Sequence, residues 1–139
     1  MRVIVFGCGR FGAKVAEVLD RRGHDVTVIG SDSDAFARLP PSFRGKAAIG
    51  HGIDVEVLRN NGVEGADAFI ALSDGDNTNV VACQIAKHIL HVPIVISQIK
   101  DPIREDTYQT LGIQTISPTR LGADRIREVI AGSLAAKNC

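Results

Sequence analysis

The sequence predicts an α/β fold, a Rossmann-like, doubly wound and mostly parallel six-stranded sheet with helices on both faces. Three observations predict it. The chain opens on a buried strand that runs straight into a glycine turn and an amphipathic helix, RVIVFGCGRFGAKVAEVL over Arg2 to Leu19. Apolar strand-like runs then alternate with helical patterns to the end of the chain, as in a parallel sheet built from crossover units. The 139 residues fall within the ~100–150 expected of one domain with its own core.

In the first unit Val3 to Phe6 has strand composition, and Gly7, Gly9 and Gly12 complete G-x-G-x-x-G directly after it. The three glycines act differently. Gly7 permits the tight turn, Gly9 lets backbone approach a pyrophosphate, and Gly12 lets helix pack close on strand. The free amides of the helix N-terminus then face the anion. Phe11, Val15, Val18 and Leu19 form the expected buried stripe, with Lys14, Glu17 and Asp20 towards water. The alternative is a tight turn that needs small residues and binds nothing.

Gly23 suits a helix C-cap, and Val26 to Ile29 is the second strand. An acidic residue that accepts from the ribose hydroxyls commonly closes this strand; here Gly30 stands there, followed by Ser31 and Asp32. A small residue and a hydroxyl suit a phosphorylated ribose, whereas Asp32 repels one and no arginine adjoins it, so the ribose choice is open at this level. Ser31 to Asp34 also suit the cap of a short helix over Ala35 to Leu39, stopped by Pro40-Pro41. Lys46 to Ile49 is a third strand, and its following loop, Gly50-His51-Gly52, places His51 near a bound adenine or in solvent.

Asp54 to Asn60 is a short helix, and Ala66 to Leu72 a central strand. Ser73 to Asn79 leads into a long helix through Leu90, with Asp76 or Asn77 as N-cap; the same loop is placed to cover a ligand. Ile94 to Ile99 is the fifth strand, Asp101-Pro102 opens another helix, and Ile113 to Ile116 is the sixth strand. After Ser117-Pro118 a last helix carries Leu121, Ile126, Val129, Ile130 and Leu134 as a stripe. Residues 1–134 are thus expected to form one domain, with 135–139 as a patternless tail.

Composition excludes several function classes. Lysine plus arginine equal aspartate plus glutamate at 16 each, and there is one Tyr and no Trp, so neither a global field nor a stacking platform recruits nucleic acid. No apolar run reaches the ~18–20 residues of a membrane span. Cys8, Cys83 and Cys139 are scattered, which favours a reducing cytosol and disfavours a metal site. His24, His51, His88 and His91 make no unit with a carboxylate, so no catalytic residue is assigned. A nucleotide site without catalytic groups suits a sensor that changes shape or partner on binding.

FGCGRFGAKVAEVL, GADAFIALSDGDNTNVVACQIAKHI and IKDPIREDTYQTLGIQTISP, in that order, resemble the TrkA-N domains, also called RCK N-terminal domains, from Arg2 to about Ser133. These are cytoplasmic regulatory modules of bacterial potassium uptake systems and channels. The resemblance implies a non-enzymatic subunit that binds NAD(H) or an adenine nucleotide (ATP, ADP or AMP). It also implies a homodimer or higher ring, peripheral to the inner face of the membrane through an embedded transporter or channel subunit. Carried over, it places Gly7, Cys8, Gly9, Arg10, Phe11 and Gly12 at the phosphates, with Arg10 able to serve a terminal phosphate. Ser73, Asp76, Asn77 and Asn79 fall in the loop over the ribose and nicotinamide or phosphate side. The last helix corresponds to the segment that crosses to a neighbouring subunit. Three positions depart from the family: Gly30 replaces an acid, His51 an aspartate, and Gln98 an arginine before Asp-Pro. Each lost polar contact is worth on the order of 1 kcal/mol. Two further readings therefore stand beside the first: an NAD(P)-dependent oxidoreductase or a fragment of one, and a scaffold that no longer binds nucleotide.

Overall fold

The computed structural model describes residues 1–50 and 53–137; His51, expected near an adenine, and Cys139 lie outside the described residues. Six strands form one sheet: β1 (Arg2–Phe6), β2 (Asp25–Gly30), β3 (Lys46–Ile49), β4 (Ala68–Ala71), β5 (Ile94–Gln98) and β6 (Gln114–Ile116). Their order is β3-β2-β1-β4-β5-β6, and every pairing is parallel. The chain starts in the middle, winds outward through β2 and β3, then returns to β4 on the other side of β1. The direction of winding therefore reverses between β1 and β4, and crevices open at such a point beyond the strand ends.

The helices are α1 (Arg10–Arg21), α2 (Val55–Asn60), α3 (Asp76–Gln84), α4 (Glu105–Gln109) and α5 (Pro118–Lys137), with 3-10 turns at Ser33–Arg38 and Pro102–Arg104. Helix α3 continues through a wider turn, Ile85–Ile89, in which the Leu90 amide donates to the Ile85 carbonyl. Alternate residues of each central strand feed two apolar layers. Ile4, Phe6, Phe69 and Val95 meet Leu58 of α2 and Val80 and Cys83 of α3 on one face. Val3, Val5, Val26 and Val28 meet Ala13 and Ala16 of α1 on the other.

Helix α1 is turned relative to its expected stripe. An ideal Cβ on Gly12 would sit 2.0 Å from the Gly7 carbonyl oxygen, so the helix comes close enough that only Gly12, Ala13 and Ala16 fit beneath it. Phe11, Val15 and Leu19 pack along the side of that contact. Val18 is left 45% exposed, while Asp20, expected in water, is buried and accepts the Arg44 amide at 3.1 Å. Gly23, with φ +89°, ends the helix as expected, and the His24 amide returns to the Leu19 carbonyl. At the other terminus α5 runs to Lys137, past residue 135 where the apolar pattern stops.

One half of the second face is open. Ile94 and Ile96 of β5 register with Ala68 and Ile70 of β4, and Ile116 of β6 registers with Gln98, so these side chains share the α1 face. Ile94 is 36% exposed there. Helix α5 does not cover it: Leu121, Ile126, Val129, Ile130 and Leu134 are all more than half exposed.

Gly12→Ala should destabilise the fold by about 1–3 kcal/mol, as overpacking does, because its methyl would meet fixed backbone. Gly9→Ala, with nothing within 4 Å of the added carbon, meets no clash and should cost only the preference of a helix start for glycine over alanine, up to about 1 kcal/mol. Urea unfolding of both variants checks the contrast.

Candidate nucleotide site

The reversal point between β1 and β4 carries a crevice of about 300 Å³. Its floor is the β1–α1 loop. Gly7, with φ +105°, takes a backbone conformation that other residues rarely adopt, and its amide donates to the Ile29 carbonyl at 2.8 Å. An ideal Cβ on Gly7 would lie 2.6 Å from the Ser73 nitrogen, so glycine is required on steric grounds as well.

Gly9 is the N-cap residue of α1, offers no side-chain cap, and is followed by no acid in the first turn. The first intrahelical bond is from the Ala13 amide to the Gly9 carbonyl, 2.9 Å. The amides before Ala13 thus have no intrahelical acceptor and carry the positive end of the helix dipole. Elsewhere this chain caps with aspartate: Asp32 accepts the Asp34 amide at 2.9 Å, and Asp54 accepts the Glu56 amide at 2.9 Å. The bare end of α1 together with the open space over Gly9 fits a phosphate group.

The expected residues divide into two sets. Gly7, Cys8, Gly9, Gly30, Ser31 and Ser73 line the crevice. Arg10, Phe11, Gly12, Asp32, Asp76, Asn77, Asn79 and Gln98 do not. Arg10 is exposed beside the loop, whereas Phe11 packs into the apolar layer and Gly12 makes the helix–strand contact described above. Asp32 is the cap of the 3-10 turn. The N-cap of α3 is Gly75, not Asp76 or Asn77. Asp76 instead accepts the Lys100 amide at 2.9 Å and the Asp101 amide at 3.2 Å, tying the start of α3 to the end of β5. Asn77 accepts from the Tyr108 hydroxyl at 3.2 Å.

Asn79 supports the crevice from behind. Fully buried, its Oδ1 accepts the Ser73 amide at 2.9 Å and the Ser73 hydroxyl at 2.6 Å. Its Nδ2 donates to the carbonyls of Ser73 at 3.0 Å and Gln98 at 3.2 Å. One amide side chain thereby fixes the β4–α3 loop to β5, and Gln98 takes part through its backbone.

Asp74 and Thr78, within the Ser73 to Asn79 loop expected over the ligand, also line the crevice, and so do Ala35, Arg38 and Gly50, which sequence reasoning did not assign to the site. Arg38 is the most consequential. The 3-10 turn folds it back over the β1–α1 loop, where its guanidinium donates to the Cys8 carbonyl at 3.4 Å. Burial pushes the Cys8 thiol up from its ordinary range, and the Arg38 charge opposes that rise. Among the described residues no group of three metal-ligating side chains occurs, and no helix is long and apolar enough to cross a membrane.

Known proteins share this architecture and much of this sequence. The TrkA-N domain family model matches residues 3–118. A Trk system potassium uptake protein TrkA from Streptomyces coelicolor is 42% identical over 126 residues, covering 91% of this chain and 56% of that protein. The chain spans about half the length of the curated relatives it matches, 56%, 48% and 60% for three of them. Among solved structures, the TrkA-N domain of the inner membrane protein ybaL from Escherichia coli superposes with a TM-score of 0.79 at 18% identity, covering 92% of this chain and 95% of that one. The GsuK channel bound to NAD superposes with a TM-score of 0.72 at 23% identity, over 86% of this chain and 22% of that one.

Asn79→Ala should cost about 1–3 kcal/mol, since the Ser73 backbone and the buried Gln98 carbonyl would lose their shared partner. Denaturant titration against the wild type reads this directly.

Proposed function

The chain belongs to the TrkA-N domain family, and from that premise we propose that it is a non-enzymatic, nucleotide-binding regulatory domain of a potassium transport system. The observation that carries the proposal is the uncapped N-terminus of α1 over the open space at Gly9, at the reversal point of the sheet. The crevice takes an adenine-containing nucleotide of the NAD(H), ATP, ADP or AMP kind. The phosphates lie on the amides after Gly9, and the adenosine lies towards Gly30 and Ser31. Arg10 stands beside the loop, within reach of a terminal phosphate only if its flexible side chain turns inward. The described polar lining consists of Cys8, Ser31, Arg38, Ser73, Asp74 and Thr78. Burial pushes the Cys8 thiol up from its ordinary range, away from a reactive thiolate, and the described lining includes no histidine to act as a general base. That supports binding without turnover. The name borne by the relatives supports an embedded potassium transporter or channel subunit as partner, with this domain on its cytoplasmic side.

The open face of β4 to β6 and the bare apolar stripe of α5 support a homodimer in which each α5 crosses to the other copy. Neither surface buries its isoleucines and leucines alone, and burying them gains about 25 cal/mol per Å². Light scattering at micromolar concentration should give twice the monomer mass, and Val129→Asp should return it to one. A monomeric wild type would sink the dimer.

The nucleotide proposal is tested by thermal shift with NAD, NADH, NADPH, ATP, ADP and AMP. At least one should raise the melting temperature, because a ligand selective for the folded state stabilises it. In Gly9→Asp the new carboxylate caps α1 and occupies the amides, at a backbone conformation open to any residue, φ −78° and ψ −167°. That variant should melt no lower than the wild type, with a capping gain of up to about 1 kcal/mol, and should lose the ligand response. An unchanged response in Gly9→Asp, or none in the wild type, would remove the site.

A further inference from the structure

In dinucleotide-binding folds of this kind the end of the second strand is the part of the crevice that meets the adenosine ribose. An acid at the end of β2 accepts hydrogen bonds from both adenosine ribose hydroxyls and repels a phosphate on either. Here the strand ends on Gly30, and a side chain there would meet a neighbour: an ideal Cβ lies 3.1 Å from Phe36 Cε1 and 3.5 Å from Cys8 Cβ. A side chain at Gly30 would press on the Phe36 ring, which would have to give by a few tenths of an ångström.

The fold weakens one sequence-level objection to a phosphorylated ribose and answers the other. Asp32, the carboxylate expected to repel it, spends Oδ1 on the Asp34 amide at 2.9 Å and is not part of the lining. An arginine, absent from the adjoining sequence, is supplied by the fold, because Arg38 returns to line the crevice beside Gly30, Ser31 and Ala35. Among the described residues Arg38 forms no ion pair. Its one hydrogen bond among them, to the Cys8 carbonyl, is long at 3.4 Å, leaving most of its donors free. Asp74 also lines the crevice, but it belongs to the β4 side and faces Lys100 at 3.4 Å.

We propose that this crevice selects adenosine phosphorylated at the 2′ position, so that dinucleotides of the NADP(H) class bind in preference to NAD(H). Arg38 donates to the 2′-phosphate through its planar fork, Ser31 adds a hydroxyl donor, and Gly30 keeps carboxylate away. This rests on the nucleotide reading given above and adds the chemistry of the ribose to it.

Isothermal titration of the purified chain with NADP and NAD, and with adenosine 2′,5′-bisphosphate and AMP, tests the selection. Each phosphorylated member should bind at least about tenfold tighter than its partner. In Arg38→Gln, an exposed substitution, that ratio should collapse towards one, and in Arg38→Lys it should be partly restored. Binding of NAD or AMP as tight as the 2′-phosphorylated form would overturn the selection while leaving the nucleotide site standing. A preference that survives Arg38→Gln would overturn the assignment to Arg38. If none of these ligands binds, nor ATP or ADP, the site itself falls and the selection with it.

Discussion

An ideal Cβ at Gly12 would sit 2.0 Å from the Gly7 carbonyl oxygen, and one at Gly7 would sit 2.7 Å from the Leu72 carbonyl carbon. Three backbones therefore converge where β1 ends: the turn itself, the first turn of α1 above it, and the exit of β4 beside it. The Leu72 amide closes the group by donating to the Phe6 carbonyl at 2.7 Å. Much else follows from this convergence. It sets how close α1 lies to the sheet, and so which residues of α1 are buried. It aims the uncapped helix end at the crevice. It also brings Ser73 next to the glycine loop, so that one wall of the crevice comes from each half of the winding.

Capping shows where the chain stabilises its helices and where it leaves them open. Asp32, Asp54 and Asp101 each accept backbone amides at the start of a helical segment, an arrangement worth about 1 kcal/mol apiece. Gly9 and Gly75 make no such bond, and they introduce the two helices that start at the crevice. Stability is forgone at both, and at α1, whose first turn carries no acid, the unsatisfied amides are useful to an anion, whereas α3 has Asp76 in its first turn.

Much of the fold is legible in the sequence because it depends on local pattern. Apolar runs mark six strands, the glycine spacing marks the turn, and Asp54 announces α2. Periodicity misleads for α1, because it weights large residues. The helix buries its smallest ones, and Val18 and Asp20 exchange places as a result. The site is less legible, since its side chains act across the fold. Asp76 has the position of a cap for its own helix but bonds the backbone after β5. Asn79 has the position of a ligand residue but is a buried support. Arg38 is remote from the glycine loop in sequence, and only the 3-10 turn brings it back. Gly30 reads as a lost contact in the sequence alone, whereas in the fold Phe36 fills the space beside it.

The same side chains that shape the crevice connect it physically to α5. Asn79 joins the Ser73 loop to the Gln98 carbonyl, and Asp76 holds the amides of Lys100 and Asp101. From there the Pro102–Arg104 turn leads into α4. Its Glu105 pairs with Arg120 of α5 at 2.9 Å, while Arg120 also donates to the Pro102 carbonyl at 3.2 Å. Beyond that first turn α5 is exposed along its described residues, so its position rests on this short polar series. A ligand shifts an equilibrium only by contacts that differ between two arrangements. In this fold the contacts that could differ are few, and they begin at Ser73, a crevice wall.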